Sequence, residues 1–212
     1  MKNSIAFLIL IFIYSASLAQ NISYGPEAGL NLNFVSAKKP EPDGKIKGFP
    51  GAGFQFGGFA DYLFTEEFSF HPQLVFSYQS VAAEPYPDNK VNGHIFYLKI
   101  PLDVFYHSSL ADGKIFFGMG PFVAVALGGS YKLKFTGSNE SIPISFGNDS
   151  LQNDVKRLDA GIQFIAGYHL NDQIALSLNF DLGIPDVSSA DNVKAHSRSI
   201  GISGAYIFKT KK

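Results

Sequence analysis

Apolar and polar residues alternate strictly from Ile174 to Ile184. Ile174, Leu176, Leu178, Phe180, Leu182 and Ile184 fall on one side of an extended chain; Ala175, Ser177, Asn179, Asp181 and Gly183 fall on the other. A period of two is the side-chain repeat of a β-strand, whose successive Cβ atoms point to opposite faces. The pattern recurs along the chain. Phe54, Phe56, Ala60, Tyr62 and Phe64 oppose Gly53, Gln55, Gly57 and Asp61, and Phe68, Phe70, Leu74, Phe76 and Tyr78 oppose Ser69, His71, Gln73, Ser77 and Gln79. Phe96 to Tyr106, Ile115 to Leu127 and Leu158 to Tyr168 alternate in the same way. With Ala28 to Phe34 near the start and Ile200 to Phe208 at the end, the pattern predicts eight strands. Beyond the first twenty residues no segment keeps a helical period over three turns.

The connections fall into two classes. Short links lie around Thr65-Glu66-Glu67, from Ser108 to Gly113 and at Asn171-Asp172. Long polar stretches rich in Pro, Asp, Asn and Ser run from Ser36 to Phe49, Ala82 to Asn92, Thr136 to Asp154 and Val187 to His196. Alternating short and long links are the pattern of an up-and-down barrel in an outer membrane, with turns on the periplasmic side and loops outside.

The second face decides between a soluble sheet and a membrane one. Water-facing strand residues tend to be Lys, Glu and Thr. Here the face opposite the apolar one carries Gly, Ala, Ser, Asn and Gln with few charges, which suits the lumen of a narrow closed barrel. Backbone groups in hydrocarbon have no water to bond, so a sheet spans a membrane only when it closes. The predicted fold is therefore all-β, an eight-stranded antiparallel up-and-down transmembrane β-barrel with its apolar face turned to lipid. Tyr62, Phe64, Phe68, Tyr106, Tyr168, Tyr206 and Phe208 lie near the periplasmic strand ends, where aromatic rings favour the headgroup level.

The first residues have a separate character. Lys2, an apolar run from Ile5 to Tyr14 and the small-residue stretch Ser15 to Ala19 read as a secretory signal peptide over residues 1–19. That run is shorter than the roughly 20 residues of a spanning helix. The barrel domain is expected over residues 20–212. Composition agrees: 21 Phe, 10 Tyr and 21 Gly against 2 Met favour strands and tight turns over helices. The absence of cysteine excludes a disulfide scaffold, a thiolate metal site and a lipidated cysteine. Removing residues 1–19 leaves 16 basic residues against 18 acidic ones, a balance that offers nucleic acid no attraction.

Candidate chemistry is confined to a few charged positions on the lumen face. Glu27, Asp61, Lys99, Asp103, Asp159 and Asp181 form an expected polar network, with Lys99 paired to one or more carboxylates because a buried ammonium requires a partner. His71, His107 and His169 share that face. The five histidines lack metal-ligand spacing, and no Gly-x-Ser-x-Gly elbow accompanies the serines, so no metal, cofactor or catalytic residue is assigned. Asp159, Arg157 and His196 near the outer strand ends are the residues a lipid-modifying activity would draw on. The first loop, with Lys38, Lys39, Lys45 and Lys47 beside Glu41 and Asp43, offers a mixed-charge surface that lipopolysaccharide phosphates can meet.

Several short motifs in this order carry a resemblance. They are Gly29-Leu30-Asn31, the strand Tyr97 to Leu102, Gly118-Met119-Gly120-Pro121, Arg157 to Gly161, and the closing strand Gly201 to Phe208. On these the chain resembles the small outer-membrane β-barrel proteins of Bacteroidetes, the PorT-like or porin family. The resemblance implies a barrel like OmpX or OmpA, integral in the bacterial outer membrane, without cofactor or enzymatic activity. Its expected partners are outer-membrane lipid and lipopolysaccharide, and the barrel assembly machinery during insertion. The expected role is an anchored surface whose outer loops bind or protect; the alternatives are an accessory of type IX secretion or gliding, a lipid-modifying enzyme and a narrow pore.

Overall fold

A computed structural model describes residues 22–38, 45–86, 89–110, 113–135, 138–147, 149, 152–189 and 193–209. The leader expected over residues 1–19 and the tip of the first loop, with Lys39, Glu41 and Asp43, lie outside the described residues. The described chain is built of strands: β1 (Ile22–Lys38), β2 (Lys45–Leu63), β3 (Phe68–Tyr86), β4 (Asn89–Leu110), β5 (Gly113–Phe135), β6 (Ser138–Pro143), β7 (Leu158–His169), β8 (Ile174–Gly183), β9 (Lys194–Tyr206) and β10 (Phe208–Lys209). Every ladder between them is antiparallel. The short β10 continues β9 beyond Ile207, and β6 pairs only with the outer part of β5, so the wall has the eight strands that the alternation predicts.

The register shows that the wall closes. From Tyr62 on β2 the paired residues are Phe70, Val104, Met119, Phe164, Phe180, Ile200 and Leu32, and the row returns to β2 at Ala52. One circuit thus shifts the chain by the ten residues between Tyr62 and Ala52, a stagger that tilts the strands against the barrel axis. Pairing of β1 with β9 closes the eight-stranded wall, so among the described residues the wall itself has no free edge strand.

The alternation also fixes which face looks out. Leu178 is 59% exposed and Asn179 6%. Outward belts begin at the short-turn end with Tyr24, Phe64, Phe68, Tyr106, Phe117, Tyr168, Ile174 and Phe208. Ten residues farther along each strand they end at Phe34, Phe54, Tyr78, Phe96, Leu127, Leu158, Ile184 and Arg198. Ten residues of strand measure about 33 Å at about 3.3 Å each, and a tilt of about 40° reduces that to about 25 Å, the height of the apolar band of an outer-membrane barrel.

The short turns have local causes. Thr65 Oγ1 accepts the amides of Glu67 and Phe68 at 3.3 and 2.9 Å, and Asn171 Oδ1 accepts those of Gln173 and Ile174, both at 2.8 Å. The long connections differ from expectation. Strand pairing runs well into the stretches assigned to loops: Lys38 pairs with Lys45, Tyr86 with Asn89 and Phe135 with Ser138. Antiparallel hairpins satisfy their own backbone outside the membrane, so the Pro, Asp and Ser content of these stretches did not end the strands.

Candidate functional site

The lumen is built in layers, because each inward position on one strand meets its neighbours at the same level. At the centre Lys99 of β4 reaches across to Asp181 of β8, with Nζ 2.7 Å from Oδ2. Gln163 of β7 donates to the other oxygen of Asp181 at 2.8 Å, and the Lys99 ammonium also lies 5.6 Å from the centre of the Phe122 ring. Asp103, four residues from Lys99 on the same face of β4, is fully buried, and neither of its carboxylate oxygens has a hydrogen-bond partner among the described residues. Glu27 joins this level from β1. Ser203 accepts from Gln55 at 3.1 Å and from Asn179 at 2.7 Å.

Of the six residues assigned to one network, four therefore share the central layer: Glu27, Lys99, Asp103 and Asp181. The other two stand apart. Asp61 lies nearer the short-turn end, 3.0 Å from His71 Nδ1, and accepts from Ser69 at 2.7 Å. Asp159 lies toward the outer mouth, where it accepts from the Ser197 hydroxyl and, at 2.8 Å, from the Ala160 amide. The neutral partners Gln55, Gln163, Asn179 and Ser203 were not singled out, although each occupies an inward position of its strand.

Large rings also enter the lumen, against the expectation of a small, polar interior. His71 stacks between Phe59 and Phe105 at 4.8 and 4.2 Å, and Phe105 stacks on Phe116 at 5.2 Å. Room comes from glycines directly across the ladder: Phe59 faces Gly25, Phe105 faces Gly118, Phe116 faces Gly167 and Phe122 faces Gly161. A Cβ on any of the last three would collide with its facing ring. Ring over glycine is a recurrent way to fill the inside of a curved sheet.

Beside the aromatic layer a vestibule of about 880 Å³ opens at the short-turn end, lined in part by Asp61, His71, His107 and His169. That half of the lumen is open rather than plugged. The opposite half carries a cap. Ile144, Ile95, Tyr97 and Phe122 form an apolar cluster under a cap made by residues 144–147, 152–157 and 185–189. The Lys156 amide bonds the Val187 carbonyl at 2.9 Å, the Val187 amide bonds the Ala195 carbonyl at 2.9 Å, and Ser189 donates to the Gly147 carbonyl at 2.7 Å. Asp186 ties the cap to β9. Partial burial pushes its carboxyl up, but hydrogen bonds from the Ala195 and Ser188 amides, with the Lys156 and His196 charges behind them, outweigh this and hold it below the usual carboxylate range.

The residues that a lipid-modifying activity would use do not converge. Asp159 is bonded inward, Arg157 lies over the Phe146 ring at 5.7 Å, and His196 Nδ1 faces the Pro185 carbonyl at 3.2 Å. Among the described residues no three His, Asp or Glu side chains are grouped so as to hold a metal ion.

With this geometry established, three comparisons bear on the chain. The family model described as "Outer membrane protein beta-barrel domain" matches residues 18–189. No curated protein matches the sequence. Among solved structures, OprG of Pseudomonas aeruginosa is similar at 13% identity over 90% of this chain and 98% of its own, with a TM-score of 0.49. Ail, the attachment invasion locus protein of Yersinia pestis, solved in complex with the heparin analogue sucrose octasulfate, is similar at 15% identity over 89% of this chain and 99% of its own, with a TM-score of 0.42. Neisserial surface protein A is similar at 14% identity over 89% and 99%, with a TM-score of 0.43.

Proposed function

The chain belongs to the outer membrane protein beta-barrel domain family, and from that premise we propose that it is a non-enzymatic component of the outer membrane whose barrel anchors an extracellular surface for binding or protection. One observation carries this reading: the lumen is crossed by the Lys99–Asp181 pair and its loop end carries the cap, so the elaborated surface lies outside the barrel. Four wall strands, β2 to β5, run 19 to 23 residues, about twice the 9–11 that span a bilayer, and so project beyond it. In this reading the charged lumen residues fasten opposite walls and stiffen the scaffold. The partners are the assembly machinery that inserts the barrel and the surrounding lipid, lipopolysaccharide included.

Kinship with the PorT-like porin family of Bacteroidetes belongs to the same proposal and rests on the short motifs from Gly29 to Phe208. No feature of the described residues favours an accessory role in type IX secretion or gliding over an anchored surface. The test is single-channel recording in planar bilayers, with heat-modifiable gel mobility reporting that the barrel is folded. The expected trace has no discrete steps; regular unitary openings would replace the anchor with a pore.

A further inference from the structure

The vestibule at the short-turn end has two kinds of lining. One is apolar: Phe59, Phe105, Phe116, Ile165, Ala175 and Ile207 pack together as a cluster, and all of them line the cavity. The other is a hydrogen-bonded chain whose proton order follows from its chemistry. Ser69 Oγ donates its one proton to Asp61 Oδ1 at 2.7 Å. It must then accept from His107, whose Nε2 lies 2.8 Å away, so that Nε2 carries a proton and Nδ1 of the neutral ring is an acceptor. His71 Nδ1, 3.0 Å from the same Asp61 oxygen, likewise directs its proton at the carboxylate.

With both rings neutral, every O–H and ring N–H of this chain is used within it. The capacity left over is for accepting, at Asp61 Oδ2 and His107 Nδ1, and both residues line the vestibule. Asp61 and His71 are buried, and the His71 ring is held between Phe59 and Phe105, so the chain is fixed before a ligand arrives. Half-buried Glu27, farther in, adds a second carboxylate. Lys114, the lining ammonium among the described residues, stands exposed at the rim, 3.7 Å from Asp172. A ligand that suits this cavity donates protons at one end and buries an apolar body at the other. The volume of about 880 Å³ lies within the range of about 300–1,000 Å³ typical of small-molecule sites. We propose that the vestibule binds a small organic cation, an amine whose ammonium bonds Asp61 and whose apolar body lies against Phe105, Phe116 and Ile165. An ammonium has three donors and no acceptor, the complement of what the chain leaves open. An acid of the same shape brings a like charge to Asp61 and is rejected.

The site lies inside the barrel and does not depend on what the outer loops bind. Tryptamine is the probe, because the chain has no tryptophan and the indole is excited apart from the protein. The full chain is titrated in neutral detergent micelles at about pH 8, where an alkyl ammonium is charged and an ordinary imidazole neutral. Fluorescence polarisation of tryptamine is expected to rise along a saturable curve. Indole-3-propionate, with the same body and the opposite charge, should bind at least about tenfold more weakly, and tryptamine should bind D61N about tenfold more weakly than wild type, the loss typical of one charge-assisted contact. D159N, at the opposite end of the lumen, is expected to match wild type. Polarisation no higher than with empty micelles overturns the site, and indole-3-propionate binding as tightly as tryptamine overturns the cation. Undiminished binding to D61N, or an equal loss in D159N, overturns Asp61 as the anchor. Gel mobility shows whether D61N is folded, and the two probes on wild type decide the matter if it is not.

Discussion

Lys99 faces more carboxyl groups than it can pair. It is bonded to Asp181, while Glu27 and Asp103 lie within its electrostatic reach at the same level. Removing one member of a buried pair typically costs about 3–5 kcal/mol, because the other charge is stranded. Lys99→Met is therefore expected to lower the stability of the barrel in lipid vesicles by about that amount on urea titration, with K99M/D181L recovering part of it. A Lys99→Met barrel as stable as wild type would remove the lysine from the energetics of the lumen. The glycine facing Phe105 makes a second prediction. A Cβ at Gly118 meets a ring already stacked between His71 and Phe116, so Gly118→Ala should destabilise by about 1–3 kcal/mol in the same titration, and F105L/G118A should relieve much of that. No relief in the double variant would place the strain elsewhere.

At the scale of elements, the strand pairs divide the barrel into a tall side and a low one. Strands β2 to β5 carry the projecting wall, whereas β7, β8 and β9 have 12, 10 and 13 residues and stop close to the membrane band. The cap lies over this low side, and Asp186 latches it to β9 through the Ala195 amide at 2.8 Å. Because the folded carboxyl titrates below its usual value of 3.8, it stabilises the cap at all pH values above that value; the contribution is lost as pH falls through the lower folded value. Amide exchange at Ser188 and Ala195 should therefore be slow and flat from neutral pH down to about pH 4 and faster than intrinsic rates explain below it. In Asp186→Asn that acid step should vanish. An acid step of equal size in the variant would show that another group holds the latch.

For the whole molecule, stability depends on the solvent that meets the belt. Leu178 lies midway between Ile174 and Ile184, near the middle of the bilayer. A charge there costs about 2–4 kcal/mol in an outer-membrane barrel, while the same side chain facing water costs little. Leu178→Arg should lose that amount when unfolding is followed in lipid vesicles, and Asn179→Ser, one residue away on the lumen side, should lose much less. Equal effects at the two positions would mean that the belt does not face lipid. Closure and location are two sides of one fact: the row from Tyr62 back to Ala52 closes the wall, so among the described residues it presents no open strand edge to hydrocarbon.

The sequence by itself determined the strands of the wall, their number, which residues look out and the end at which the chain turns. Each of these follows from local alternation and local turn chemistry, as Leu178 beside Asn179 and Asn171 before Ile174 show. The inward face was legible as a list, including Lys99, Asp103 and Asp181, but not as an arrangement. Only the tertiary structure decided that Asp61 and Asp159 stand apart from the central four and that Phe105 rests on Gly118. Those are relations between strands, set by register and by the ten-residue stagger of closure. Alternation along one strand carries no information about which residue lies across from it, and a shift of two residues would leave every face unchanged while exchanging every partner.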